Sequence, residues 1–275
     1  MLKKIRSLAY QYVILAVLVI EVVFKLLYFG LKQFFLLFPQ TQPVEYLCEI
    51  VLMLVPAAFV FIFGFSSTFK KGNFRRALIC CLPFILQQLL IFGVFFSEYL
   101  GNPEANWRPW YLMVLGVFSI FGVGVREECI YRATIQNLLA KKYANSVKGI
   151  WITVGVASVI FGLKHATNLL YGVAPIAVLS QVLTATAVGV LFGAVYLRSG
   201  SLWTVIIIHT LTDVSGLASS TFTVGVSDSD VINGLSFSWE SIVLHLFYGT
   251  FAFFLLRPSK CKQIYESFCF TDEKQ

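Results

Sequence analysis

Charged residues are scarce in this sequence. Asp, Glu, Lys and Arg make up 13% of its 275 residues, against roughly 25% in a typical soluble domain. Hydrophobic residues account for 58% of the chain, and its mean hydropathy is +0.80. Such a chain has too little polar surface to cover a globule in water. The composition therefore excludes a secreted enzyme, a soluble nucleic-acid binder and a disordered regulator.

Charge is missing altogether from several long stretches. Residues 77–97 and 109–125 contain no Asp, Glu, Lys or Arg, and residues 149–197 contain only Lys164. Each stretch is near or above the roughly 20 apolar residues that a helix needs to cross a bilayer. These stretches predict an all-α, polytopic transmembrane bundle that forms a single membrane domain over residues 1–275.

The cysteines lack the spacing of metal ligands, and the N-terminus lacks a cleavage site. Small buried hydrophobes are the simpler interpretation of the cysteines. The chain begins with a basic segment, as signal peptides do, but the apolar run that follows is too long for one. No A-x-A-like site ends that run, so we interpret it as a retained first span. The cysteines are Cys48, Cys80, Cys81, Cys129, Cys261 and Cys269.

About eight spans fit the hydropathy pattern. Basic and non-basic connections alternate through all of them, and the N-terminal segment, the KKGNFRR loop at 70–76 and the C-terminal segment are basic. By the positive-inside rule this pattern places both termini in the cytoplasm. It also explains the net charge of +7 without a nucleic-acid partner. The predicted spans are 9–30, 46–67, 77–97, 109–140, 149–169, 174–197, 202–220 and 235–256.

Three polar motifs interrupt the later spans, where ionisable residues are expensive and usually functional. They are Glu127-Glu128-x-x-x-Arg132, Phe161-x-x-x-His165 and His209-x-x-x-Asp213. Glu128 and Arg132 are four residues apart with the acid first, which is the favourable pairing order on a helix. Adjacent helical residues diverge by about 100°, so Glu127 is predicted to have no local partner and to be free to act as a base.

These motifs are predicted to lie at similar depths in the membrane. At a rise of ~1.5 Å per residue, Glu127 lies ~21 Å from Lys141 and His165 ~26 Å from Lys148. His209 and Asp213 lie ~14 and ~20 Å from Gly200 by the same rise. Three separate helices therefore place their unusual residues in one slab, which favours a single intramembrane active-site cavity.

A carboxylate, two imidazoles and an Asp in a dry cavity suit the activation of water for amide hydrolysis. Glu127 can take a proton from water, and the histidines can hold that water, bind a metal or stabilise an oxyanion. Metal dependence stays open, with His165, His209, Asp213 and Glu127 as candidate ligands and zinc as a possible metal. We favour metal-free catalysis, since Glu127 cannot serve as the base if it binds a metal.

The motifs EExxxR, FxxxH and HxxxN/D on successive membrane helices resemble those of the CPBP (Abi) family, which includes the type II CAAX prenyl endopeptidases. The resemblance covers about 115–215, within a family-like catalytic core at about 109–220. It implies that Glu127 is the catalytic glutamate, supported by Glu128 and Arg132. It further implies that His165 and His209 are active-site residues and that Asp213 fills the Asn/Asp position.

The resemblance implies a substrate that is a peptide or lipidated protein in the membrane, with a sensor kinase or a peptide-export protein as further possible partners. For a bacterial cell membrane, a peptide pheromone or bacteriocin precursor is the favoured substrate. Two other classes of function remain as alternatives. One is a non-catalytic immunity or scaffold protein with the same fold, and the other is a transporter that uses Glu127 and the histidines as a proton relay.

Other polar residues in the spans have simpler interpretations. Lys164 is predicted to point away from His165 and to be snorkelling or paired rather than catalytic. His245 is predicted to pack or hydrogen-bond within the bundle. Gln87 and Gln88 are predicted to form hydrogen bonds between helices.

Overall fold

A computed structural model describes residues 1–70, 72–102 and 104–269, without the side chains of 262 and 265–269. These residues form helices and no strand, which confirms the all-α prediction. Part of the evidence for the predicted orientation comes from basic residues near the ends of spans. These include Lys71 in the basic loop, Lys262 in the basic C-terminal segment, and the chain end at 270–275. Lys71, the Lys262 side chain and the chain end lie outside the described residues.

The α-helices are numbered in chain order. Two shorter helical segments of other types contain site residues, a π-helical segment at Cys129–Gln136 and a 3-10 segment at Lys164–Tyr171. The α-helices are α1 Leu2–Gln11, α2 Val13–Phe35, α3 Gln42–Leu52, α4 Leu54–Ile62, α5 Phe74–Leu100, α6 Trp110–Glu128, α7 Asn137–Tyr143, α8 Val147–Leu163, α9 Pro175–Ser199, α10 Leu202–Gly216, α11 Ala218–Phe222, α12 Asp228–Asn233, α13 Trp239–Leu255 and α14 Pro258–Cys269.

Five helical segments in the described part of the chain are long and apolar enough to cross a membrane. They match five of the predicted spans, and α10 and α13 are shorter apolar helices near two further ones. The protein is therefore an integral membrane protein with a helical bundle, while the count of eight spans stays a prediction. The five segments are Val13–Phe35, Gln42–Ile62, Phe74–Leu100, Val147–Tyr171 and Pro175–Ser199.

The first helix differs from the predicted span at 9–30. The chain breaks at Tyr12, so a separate basic helix α1 precedes the membrane-crossing α2. Arg6 of α1 donates hydrogen bonds to the carbonyl oxygens of Ile62 (2.8 Å) and Phe61 (3.0 Å). These bonds tie α1 to the end of α4.

The centre of the bundle is formed by the helices that carry the polar motifs. Residues 125–140, from the end of α6 through the π-helical segment into α7, are all buried. Helix α10 packs closely against α6 at Gly124, where an added Cβ would lie 2.8 Å from Thr210 Oγ1. A larger residue at 124 would push α10 away, so this glycine permits the approach of the two helices that present the first and third motifs.

Hydrogen bonds and caps between helices complete the bundle. Gln87 donates to the Tyr248 hydroxyl at 2.9 Å, and Gln88 accepts from Ser215 at 2.6 Å, so both glutamines join neighbouring helices as predicted. His245 Nε2 lies 2.9 Å from Thr184 Oγ1, which confirms its interpretation as a hydrogen-bonding residue of the bundle. These contacts satisfy polar side chains outside the three motifs.

Candidate active site

The two glutamates of the first motif lie at the C-terminal end of α6 and are both buried. Glu128 is fully buried, and its Oε2 lies 3.2 Å from Nε of Arg132, which is also fully buried. The predicted Glu128–Arg132 ion pair is therefore present. It forms across the start of the π-helical segment, a type of helix that is rare and often found at functional sites.

The first and third motifs meet through Glu128. Nδ1 of His209 lies 2.7 Å from Oε1 of Glu128. A carboxylate at Nδ1 fixes the imidazole orientation and favours the tautomer with the proton on that nitrogen. The chain Arg132–Glu128–His209 therefore fixes the ring so that Nε2 faces the remaining acids of the site.

Nε2 of His209 lies between two carboxylates. It is 3.8 Å from Oε2 of Glu127 and 3.4 Å from Oδ2 of Asp213, which is one turn further along α10. The structure thus brings Glu127, His209 and Asp213 together, as their similar predicted depths indicate, with Glu128 and Arg132 beside them. The distance to Glu127 is longer than a direct hydrogen bond, and a bridging water suits a polar gap of this size.

Glu127 has an ion-pair partner that the sequence reasoning did not assign to it. Nζ of Lys164, at the start of the 3-10 segment, forms an ion pair with Oε1 of Glu127. Glu127 has no ion-pair partner within its own helix, as predicted, and its partner comes instead from a distant part of the chain. Lys164 is paired, as one of its two predicted interpretations stated, and its partner is the predicted base.

His165 lies at the edge of this group. Its ring centroid is 5.7 Å from that of Phe161, and Phe161 lies at the same distance from His209 on an edge-on approach. The ring of His165 makes no hydrogen bond to any residue that the structure describes. Both imidazoles therefore pack edge-on against the one ring of Phe161, and the nitrogens of His165 remain available to contact a bound molecule.

A second charged cluster adjoins the site at Arg126. Its guanidinium forms an ion pair with Glu49 of α3 and lies 4.8 Å from the ring of Tyr28 of α2. Glu49 also accepts from Lys32 at 2.8 Å and from the Tyr28 hydroxyl at 3.0 Å. The first spans therefore hold the residue directly before Glu127.

The four candidate metal ligands do not form a ligand set here. Glu127 is paired with Lys164, while His165 packs against Phe161. Across residues 1–70, 72–102 and 104–269, no three His, Cys, Asp or Glu side chains are arranged to hold a metal ion. The residues in this arrangement do not fit a metal site, and metal dependence stays open for experiment.

Comparison with known families agrees with the geometry. Residues 108–215 match the family model described as type II CAAX prenyl endopeptidase Rce1-like. This segment is similar to type II CAAX prenyl endopeptidases. The resemblance drawn from the three motifs is thereby confirmed, although the match covers less than half of the chain. No curated protein and no solved structure matched the chain.

The endopeptidase-like segment contains every predicted site residue, and at the level of the family it supports an intramembrane endopeptidase. The Tyr28–Lys32–Glu49–Arg126 cluster lies mostly outside it and was missed by sequence reasoning. The signal for Glu49 was present, since it is one of two acidic residues in the largely apolar segment Gln42–Ile62. The sequence could not predict that Arg126 is the partner of Glu49, because 77 residues separate the two.

Proposed function

We propose that the protein is an intramembrane endopeptidase that hydrolyses a peptide bond in a membrane-associated peptide or protein, with water activated by Glu127. The observation that carries this proposal is the buried pair of Glu127 Oε2 and His209 Nε2, 3.8 Å apart. A water that contacts both atoms has a base on one side and an imidazole on the other.

In the proposed reaction, Glu127 takes one proton from the water while the water oxygen forms a bond to the carbonyl carbon of the substrate. The carbonyl π electrons move to its oxygen, and an N–H donor of the His165 imidazole stabilises that oxyanion, while the unprotonated Nε2 of His209 accepts a hydrogen bond from the water. When the oxyanion collapses, the carbon–nitrogen bond breaks and Glu127 returns its proton to the leaving nitrogen. Glu127 thus acts first as base and then as acid.

Glu128 and Arg132 have a supporting role in this proposal. Glu128 joins the guanidinium of Arg132 to Nδ1 of His209. A carboxylate in that position holds the imidazole in one orientation and tautomer, as the Asp does in a Ser-His-Asp triad. The pair therefore orients His209 without contacting the reacting atoms.

The family description supplies the substrate class to test first. It names prenyl endopeptidases of CAAX sequences, so a farnesylated peptide that ends in a CAAX sequence is a suitable probe. A bacterial peptide pheromone or bacteriocin precursor is the second probe, because either substrate presents its peptide bond from the membrane.

The decisive test is Glu127→Gln in the full-length protein, assayed in proteoliposomes with both probes. The wild type is expected to cleave at least one of them, and the variant to lose at least about 100-fold in rate, the low end of what an acid–base residue contributes. Glu98→Gln, the same change at an exposed position of α5, is the matched control and should keep full activity.

Cleavage by Glu127→Gln at the wild-type rate would contradict the proposed role of Glu127. A cellular phenotype that survives this substitution would favour the immunity or scaffold function, which needs the fold but not the carboxylate.

A further inference from the structure

Lys164 and Glu127 form an ion pair inside the membrane-spanning bundle, and the proposed mechanism has not used the lysine. The Lys164 side chain is 18% exposed and that of Glu127 is 7% exposed. A lysine in a membrane span costs several kcal/mol unless it is paired or reaches the interface. Its position against the proposed base therefore needs an explanation.

The other cations around the first motif are already engaged. Arg126 is paired with Glu49, and Arg132 with Glu128. Nδ1 of His209 is likewise taken by Glu128. The carboxylates of Glu49 and Glu128 thus have cationic partners of their own. The ammonium of Lys164 supplies the positive charge next to the Glu127 carboxylate.

The ion pair also orients the Glu127 carboxylate. Lys164 contacts Oε1, whereas Oε2 is the oxygen that lies 3.8 Å from Nε2 of His209. A lysine ammonium is a compact point charge that can hold one oxygen, while an arginine presents a planar fork that tends to bind both. Lysine at this position therefore leaves one oxygen of the base open towards the histidine.

Lys164 is itself held by its surroundings. Its Nζ lies 5.5 Å from the centroid of the Phe161 ring, the same ring that packs against His165 and His209. A cation over an aromatic face is stabilised by the charge distribution of the ring. Phe161 thus places the lysine and both histidines around one rigid side chain.

We infer that Lys164 is a positioning residue for the reaction: its ammonium holds Oε1 of the Glu127 carboxylate and so turns Oε2 towards the water and His209. The inference rests on the proposed function. It assigns a role to Lys164, a position that the three motifs leave unspecified and that the matched family description does not mention.

The test compares Lys164→Met, Lys164→Gln and Lys164→Arg with the wild type, using the full-length protein in proteoliposomes and the farnesylated CAAX peptide. Each rate is divided by the amount of folded protein, which is taken from the amplitude of thermal unfolding in detergent. Lys148→Met is the matched control, because it makes the same change at an exposed position of α8, the helix that directly precedes the 3-10 segment of Lys164.

Both neutral variants are expected to lower kcat at least tenfold with KM within twofold of the wild type. Lys164→Arg should give an intermediate kcat, since it restores the charge but engages both carboxylate oxygens. Lys148→Met should match the wild type. A merely structural lysine would lower the amount of folded protein but not the kcat of what remains.

Three results would overturn the inference. In the first, the neutral variants keep kcat within twofold. In the second, KM rises while kcat is unchanged, which makes Lys164 a substrate-binding residue. In the third, neither neutral variant folds, which makes the lysine a requirement of the fold alone. Failure of the proposed function is distinguishable, because it appears in the wild type or in Glu127→Gln, where Lys164 is intact.

Discussion

Glu127 and Glu128 are neighbours in the chain but face different partners. Glu128 is fully buried between Arg132 and Nδ1 of His209. Glu127 contacts Lys164 and opens towards Nε2 of the same imidazole. The divergence of about 100° between adjacent helical residues separates them, so one carboxylate supports the histidine while the other is available for the reaction.

Asp213 is the residue whose role the geometry constrains least. It lies 3.4 Å from His209 Nε2, and its side chain is 27% exposed. The family pattern allows Asn here, and an amide can donate a hydrogen to an oxyanion that an ionised carboxylate would repel. Two explanations remain: a protonated Asp213 donates its O–H, or a rearranged site uses it as a metal ligand.

Asp213→Asn separates these explanations, because it keeps the shape of the side chain, supplies a donor and removes an anionic ligand. We expect preserved cleavage, within about tenfold of the wild type, a margin of about 1.4 kcal/mol in the barrier. Elemental analysis of the purified wild type and variant is the accompanying measurement. Stoichiometric zinc that is lost together with activity in the variant would establish the metal-dependent mechanism instead.

At the scale of the elements, the crossing of α3 and α6 links the first spans to the site. The two helices approach closely at Gly122, where an added Cβ would lie 3.2 Å from the Glu49 carbonyl oxygen. One turn later on α6, Arg126 forms its ion pair with the Glu49 side chain. Helix α3 therefore fixes the turn of α6 that ends in Glu127 and Glu128.

Glu49→Gln is expected to destabilise the protein, because it removes the counter-charge of Arg126, which is 8% exposed. Breaking a buried ion pair by removing one partner costs about 3–5 kcal/mol, and the exposure of Lys32 puts the expected loss near the lower value. Thermal unfolding in detergent measures the effect. Glu45→Gln, an exposed residue one turn earlier on α3, should leave the unfolding temperature unchanged. Equal unfolding temperatures for the two variants would show that the ion pair is not stabilising.

The sequence predicted those parts of the site that depend on local geometry. The pairs Glu128–Arg132 and His209–Asp213 are four residues apart, so helical periodicity alone brings each of them together. The Glu127–Lys164 contact joins residues 37 positions apart on different helices, and periodicity cannot predict such a pair. Nor could it predict the π-helical segment after Glu128, whose residues show the same apolar pattern as an ordinary helix.

The fold was predictable to a similar extent. Long charge-free stretches define spans because the bilayer sets their length, and helices α5, α8 and α9 begin within three residues of the predicted positions. The separate α1 was missed, because the hydrogen bonds of Arg6 to Phe61 and Ile62 depend on how distant segments pack.

For the whole molecule, the segments that connect the helices lie at two ends of the bundle, and contacts among these segments show which of them share an end. At one end, Lys142 donates to the Gln11 carbonyl oxygen at 2.8 Å, and Asn73 N–H donates to the Ser199 carbonyl oxygen at 2.9 Å. At the other end, Arg108 donates to the Ser220 carbonyl oxygen at 3.1 Å, and Ala174 N–H donates to Asn233 Oδ1 at 2.8 Å. The first end carries the basic connections.

This sorting leads to a prediction about orientation. Lys and Arg are retained on the cytoplasmic side of membrane proteins, so the basic end should face the cytoplasm together with both termini. Reporter fusions after Gln275 and within the loop at 223–227 measure this directly. We expect a fluorescent-protein reporter to be active only at the first position, and alkaline phosphatase only at the second. If the N-terminus is cytoplasmic, an external C-terminus would require an odd number of spans. It would also invalidate the depths estimated for Glu127, His165 and His209, because each depth was measured from a basic connection taken to be cytoplasmic.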